Sequence, residues 1–308
     1  TGLTEGVHCT TCGEVLAQQE MIAALGHSWI DSSAVIKNCG RCGHTEGGYR
    51  LLLDADEFSA ADCVWIDGVE YTLTATDGNY YIDLEHTNAT NLVVYTYNDP
   101  DAQDIHTQYP TEMKVWILKY QDGIYTAKYV EELDNLLQYS GSSIRVTGNK
   151  GIRMITSLYK DTKSALTGGG LAGFKLMEYG TVLAFAHEVE GDGDLVLGKP
   201  YSRSNYAYKR GTADPVFANS GNLTQYTNVL VGFNLDQCKE DIAMRPYIIL
   251  EDAEGNQITL YGGTIYRSIG YVAYQNRNVV RAGTAAYSFV WDIIHHVYGD
   301  RYDSDYKG

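Results

Sequence analysis

Turn chemistry constrains this chain before anything else. Asp77-Gly78-Asn79, Asp122-Gly123 and Gly255-Asn256 each stand between two short segments in which apolar and polar residues alternate. Period-two alternation sets one face of an extended segment on a core and the other in water. An Asp-Gly or Gly-Asn step supplies the left-handed backbone that a tight hairpin needs. The flanking segments are 69–74 with 80–85, 113–120 with 124–130, and 247–251 with 257–261. The same texture predicts strands over 91–97, 144–146, 152–156, 181–189, 227–233 and 264–274. A chain built this way is mainly β, and many short strands at this spacing predict a β-sandwich or jelly roll. Helix is expected at two places. Residues 131–138 read as one or two turns, and Ala286, Val290, Ile293, Ile294 and Val297 fall at helical spacing between a Thr284 cap and a Gly299 stop. That last segment is an amphipathic helix expected to pack on the sandwich.

Domain organisation follows from composition shifts. At 308 residues the chain exceeds one compact domain, and 44% hydrophobic residues are enough to build cores. Residues 1–48 hold four of the six Cys and read as a small module, whereas the alternating texture begins at Tyr49. The polar stretch from Asn98 to Pro110 predicts a second boundary, giving a small β domain over 49–110 and a β-sandwich with a terminal helix over 111–308. A net charge of −16 leaves no basic footprint, which excludes nucleic acid as a partner. No apolar run approaches the roughly 20 residues that cross a bilayer, so no membrane insertion is expected. Thr1 is not a natural start, and the chain reads as part of a longer one.

The small module carries the sharpest chemical signal. Cys9-Thr10-Thr11-Cys12-Gly13 and Cys39-Gly40-Arg41-Cys42-Gly43 are two CxxCG knuckles. In such a knuckle both thiolates turn toward one ion, and two knuckles complete a tetrahedral Cys₄ site. Fewer than fifty residues bury too little apolar surface to fold unaided, so a staple is required. Structural Zn²⁺ on Cys9, Cys12, Cys39 and Cys42 is the favoured reading, and a pair of disulfides competes with it. His8 and His44 flank the knuckles as solvated neighbours.

Other constellations weigh less. Glu188, Glu190, Asp192 and Asp194 form an acidic loop with the oxygen ligands Ca²⁺ takes, yet the EF-hand pattern is incomplete and a solvated turn is the plainer reading. His295 and His296 are adjacent, so on a helix they diverge by about 100° and share an ion poorly. Gly168-Gly169-Gly170 has no following Lys-Ser/Thr, no GxSxG occurs, and Cys63 and Cys238 lack a catalytic signature. Those two cysteines are expected to be free, buried thiols. No catalytic residue is assigned. For ligand binding the candidates are Tyr201, Tyr206 and Tyr208, in a stretch that also holds Arg203, Asn205, Lys209 and Arg210. Aromatic faces stack on the apolar side of sugars while amides and cations take hydroxyls. The alternative is a strand whose Tyr side chains face a core.

The N-terminal pattern HCTTCGEVLAQQEMIAALGHSW and NCGRCGHTEG resembles the short Cys-rich repeats of large cell-surface proteins of clostridial-type gut anaerobes. The runs GIRMITSL, EYGTVLAF and TNVLVGFNLDQCKEDIAMRPYIILEDAEGNQITLYGGTIYRSIGYVAYQ resemble a β-rich module of the same proteins. The resemblance covers most of the chain and implies an exported, modular setting with carbohydrate-active or adhesive company. The expected function is a non-catalytic accessory module at the bacterial cell surface, binding glycan or serving as a scaffold. A protein–protein adhesion or anchoring module is the alternative, and a glycoside hydrolase the weakest candidate.

Overall fold

The computed structural model describes residues 2–3, 5–19, 21–22, 28, 37–38, 40–41, 45–46, 49–60, 64–76, 78–168, 170–189, 195–201, 203–209 and 218–307. The chain is mainly β and closes on a helix, as the alternation and the C-terminal spacing require. It divides into two compact units, residues 1–50 with 83–87, and residues 51–82 with 88–308.

Small antiparallel ribbons make up the described part of the first unit. Gly2–Leu3 pairs with Met21–Ile22, Val7–His8 with Val15–Ala17, and Lys37–Asn38 with Thr45–Glu46.

Three larger sheets follow. The eight-stranded one runs Thr74–Thr76, Asn79–Leu84, Tyr49–Asp54, Ile124–Tyr129, Pro110–Gln121, Asn91–Tyr97, Val64–Ile66, Val69–Tyr71. All its pairings that are described are antiparallel except one, Tyr125 against Leu51. The expected boundary at 110 is not where the structure divides: Val93 pairs with Val115 across it, and the polar stretch is a loop between neighbouring strands. A four-stranded sheet has the order Gln138–Arg145, Gly151–Tyr159, Leu223–Val231, Ala218–Ser220. In the third, Arg203–Lys209, Lys175–Phe185, Asp241–Glu251 and Gln257–Tyr261 lie side by side. There Asp241–Glu251 pairs twice, through residues 247–251 with Gln257–Tyr261 and through 241–244 with Ile265–Ser268.

The break between those two partners is Gly262-Gly263, and the packing dictates glycine. A Cβ on Gly262 would sit 2.6 Å from the Pro246 ring, and one on Gly263 2.8 Å from Pro110.

Among the described residues, two large cores hold the sheets. One joins Val93, Tyr95 and Val115 of the large sheet to Ile248, Leu250 and Leu260, with Leu158 and Tyr226 from the four-stranded sheet. The other lies beneath the helix Ala285–Tyr298, whose Val290, Trp291 and Ile294 cover Ile152, Met154 and Met244. Thr284 caps that helix by accepting a bond from Tyr287 N–H at 3.2 Å, as its sequence position predicts. The expected strand over 264–274 is corrected. It ends at Ser268, whose hydroxyl accepts from Tyr271 N–H, and Ile269–Gln275 is a helix that buries Ile269, Val272 and Ala273 in the second core. The β-branched and aromatic residues there suit a strand locally, and burial against the long helix decides otherwise.

Candidate functional site

The first knuckle is a tight hairpin. His8 pairs with Val15 and Val7 with Ala17, and the loop between them closes through Gly13 N–H to Cys9 C=O at 2.8 Å and Cys9 N–H to Glu14 C=O at 2.7 Å. Gly13 has φ +78, a conformation that Cβ-bearing residues rarely adopt, which is why glycine follows the second Cys. Backbone bonds from Cys12, then Thr11, draw the Cys9 thiol down to about 7. Donors aimed at sulfur favour thiolate, the form that binds metal.

The second CxxCG segment has the same frame. Asn38, directly before Cys39, pairs with Thr45, three residues past Cys42, just as His8 before Cys9 pairs with Val15, three past Cys12. Cys39 and Cys42 lie outside the described residues, and among the described residues no group of three or more His, Cys, Asp or Glu is placed to hold a metal.

The remaining expected site residues are dispersed. Tyr201 is half-buried and packs on the apolar cluster of Val182, Ala184 and Tyr247. Tyr206 and Tyr208 stand on the Arg203–Lys209 strand, where their backbones pair with Gly180 and Tyr179, and their side chains lie outside the described residues. Of the acidic loop, Glu188 accepts from Phe185 N–H at 3.1 Å, while Glu190, Asp192 and Asp194 lie outside the described residues, as does Cys63. Cys238 is fully buried, donates to Asn234 C=O at 3.4 Å, and burial pushes its thiol up to about 11. His295 and His296 reach different carboxylates, Asp303 and Asp236, so they share no ion.

A cleft of about 890 Å³ opens in the second unit, within the range of small-ligand sites. The hairpin strands Pro110–Gln121 and Ile124–Tyr129 form one wall. Ile117 at its base still packs on the first core, and one step outward on the same face Lys119 and Gln121 line the opening. Lys128 pairs opposite Ile117 and joins them.

Asp252–Ile258, the turn after Asp241–Glu251, makes the facing wall. Asp252 is committed to that turn: it accepts from Asn256 N–H at 2.8 Å, Asn256 Nδ2 at 2.9 Å and Glu254 N–H at 3.0 Å. The Asn256 side chain leads those bonds in holding the Asp252 carboxyl below its ordinary value. A third side is the tight turn at Ala172-Gly173, where Ala172 takes φ +50, a conformation non-glycine residues seldom hold.

Of these cleft residues the sequence marked Asn256, as part of the Gly255-Asn256 turn, and none as a binding residue. The readable signal was alternation: Lys119 falls on the same face as Val115 and Ile117, a cation in an apolar register.

Comparison with protein-family models, curated proteins and solved structures finds no match.

Proposed function

We propose that this chain is a non-catalytic module of an extracellular bacterial surface protein that binds carbohydrate, and that the cleft is its binding site. The observation carrying this reading is the make-up of the cleft: an apolar base at Ile117 rimmed by side chains with free donors and acceptors. Among the described residues, Gln121 has no side-chain partner, so its amide is available to a hydroxyl. An apolar floor with a few placed polar groups is what a sugar ring needs. The sheets facing each other across the first core fit the expected β-sandwich.

An array of plant and host glycans tests the reading. A defined class of hits is expected, and Gln121→Ala should weaken them about fivefold, the scale of one hydrogen bond left unmade. Hits unchanged in Gln121→Ala would move the site toward Tyr201, Tyr206 and Tyr208. A blank array would favour a surface scaffold or an adhesion module.

We further propose that the two knuckles close on one structural Zn²⁺ through Cys9, Cys12, Cys39 and Cys42. Support comes from the innermost pair of each hairpin, His8 with Val15 and Asn38 with Thr45, which stands directly before the first Cys and three residues past the second in both segments. Four protein ligands leave no open position, so such an ion supplies folding energy and no chemistry. Metal analysis should return one zinc per chain. Zinc-free protein with four oxidised cysteines would restore the disulfide reading.

A further inference from the structure

We infer that the ligand of the cleft is an anionic carbohydrate, one whose sugar carries a carboxylate or a sulfate. The inference rests on the carbohydrate reading and adds the charge. Lys119 and Lys128 both line the opening, on one face of paired strands: Lys128 is opposite Ile117, and Lys119 is the next residue outward on that face. Diagonal neighbours across an antiparallel pair lie about 7–8 Å apart at Cα. Two ammonium groups on flexible stems can therefore converge on one anion.

Neither lysine is otherwise engaged. Among the described residues, neither side chain makes an ion pair, hydrogen bond or ring contact. In a chain with 39 Asp and Glu against 23 Lys and Arg, partners are abundant, and other cations take them. Arg50 binds Asp83, Arg277 binds Asp305, and Lys114 lies near Glu112.

The facing wall fits the same reading. Asp252 is bonded into its turn, so its charge is partly spent on N–H donors. Glu254 is the remaining carboxylate that lines the cleft, and it makes no side-chain contact to either lysine. An arriving anion meets two ammonium groups and two carboxylates, Asp252 and Glu254, the first of them bonded into its own turn, with Ile117 under the ring. A phosphate-rich polymer is disfavoured by the overall charge of −16. A sugar with isolated charges can be accommodated locally because fields from distant carboxylates are screened beyond about 8–10 Å.

The experiment is a glycan array holding carboxylated, sulfated and neutral members, followed by calorimetry on matched sets: lactose, sulfolactose and sialyllactose, and galacturonic acid beside its methyl ester. Acidic members should bind about tenfold tighter than their neutral counterparts, and the sulfated and carboxylated arms decide which anion is preferred. Lys119→Ala and Lys128→Ala should each cost about fivefold, the upper scale of an exposed ion pair, and raising salt should weaken acidic binding selectively. Glu254→Gln should strengthen it, a gain that damaged folding does not produce. Neutral sugars bound as tightly as acidic ones, with both lysine variants at wild-type affinity, would overturn the anionic ligand and leave carbohydrate binding standing. Absence of any sugar binding would overturn both.

Discussion

At the scale of single residues, Arg245 is the most exacting side chain in the molecule. It is fully buried, and its guanidinium donates to Gly262 C=O at 2.9 Å, Gly68 C=O at 2.7 Å and the Tyr95 hydroxyl at 3.2 Å. The rings of Trp65 and Tyr261 lie 4.5 and 4.9 Å from its carbon. A planar fork satisfies carbonyls in different directions and stacks on both rings, whereas an ammonium has neither property. Arg245→Lys should therefore destabilise by about 2–4 kcal/mol in urea unfolding, close to the cost of leaving buried polar groups unpaired. His106 gives a pH signature. Its Nδ1 lies 2.8 Å from Asp104 and its Nε2 2.5 Å from Asp241, with the ring stacked on Tyr271. Two carboxylates on the two ring nitrogens call for both protons, and the Asp241 bond above all raises the imidazole above its ordinary value. A raised folded value means the stabilisation is complete below about pH 6.5, the unfolded value, and fades as pH climbs through the folded one. Thermal melts should show this loss in the native protein and not in His106→Asn; identical pH profiles would refute it. Sequence did not reveal either residue, because each is defined by partners far along the chain: Gly68 for Arg245 and Asp241 for His106. The knuckle at Cys9 and Cys12 was legible because its donors are two and three residues away.

At the scale of elements, the helix Ala285–Tyr298 shows what local patterning can specify. Thr284, the apolar spacing and Gly299 fixed it to within a residue or two, and its buried stripe met a core of the expected kind. Trp291 is the largest side chain in that stripe and is 2% exposed. Trp291→Ala should cost about 3–5 kcal/mol, measured by chemical unfolding. Cys238 lies in the same core, with a thiol that burial holds protonated. Thiol-alkylating reagent should therefore leave Cys238 unlabelled in native protein and label it once denaturant opens the core, as peptide mass mapping would show. The neighbouring Ile269–Gln275 helix was hidden because tyrosine, valine and isoleucine read as strand. The cap at Ser268 was its one local sign. The cleft was hidden for another reason. Alternation locates Lys119 on a face, but whether that face is covered depends on where the opposite sheet stops, and no neighbouring residue records that.

At the scale of the whole molecule, the division into residues 1–50 with 83–87 and the larger remainder predicts separable stability. A unit of this length buries little apolar surface, so the proposed zinc would carry its stability. Cys12→Ser should abolish zinc uptake and open the small unit to protease, while the cooperative melt of the larger unit stays in place. Loss of both together would show that the units fold as one. The bond from Arg245 to Gly68 also has a bearing on time. It joins residues 177 apart in sequence, and Leu51 waits for Tyr125 before its side of the large sheet is joined. Loops of that length are entropically slow to close, so the sheet forms late and as one event, after most of the chain is available. The arginine contact belongs to the last consolidation rather than the nucleus. Its removal should then leave refolding speed nearly unchanged and shorten the lifetime of the folded state, so this side chain governs persistence more than assembly.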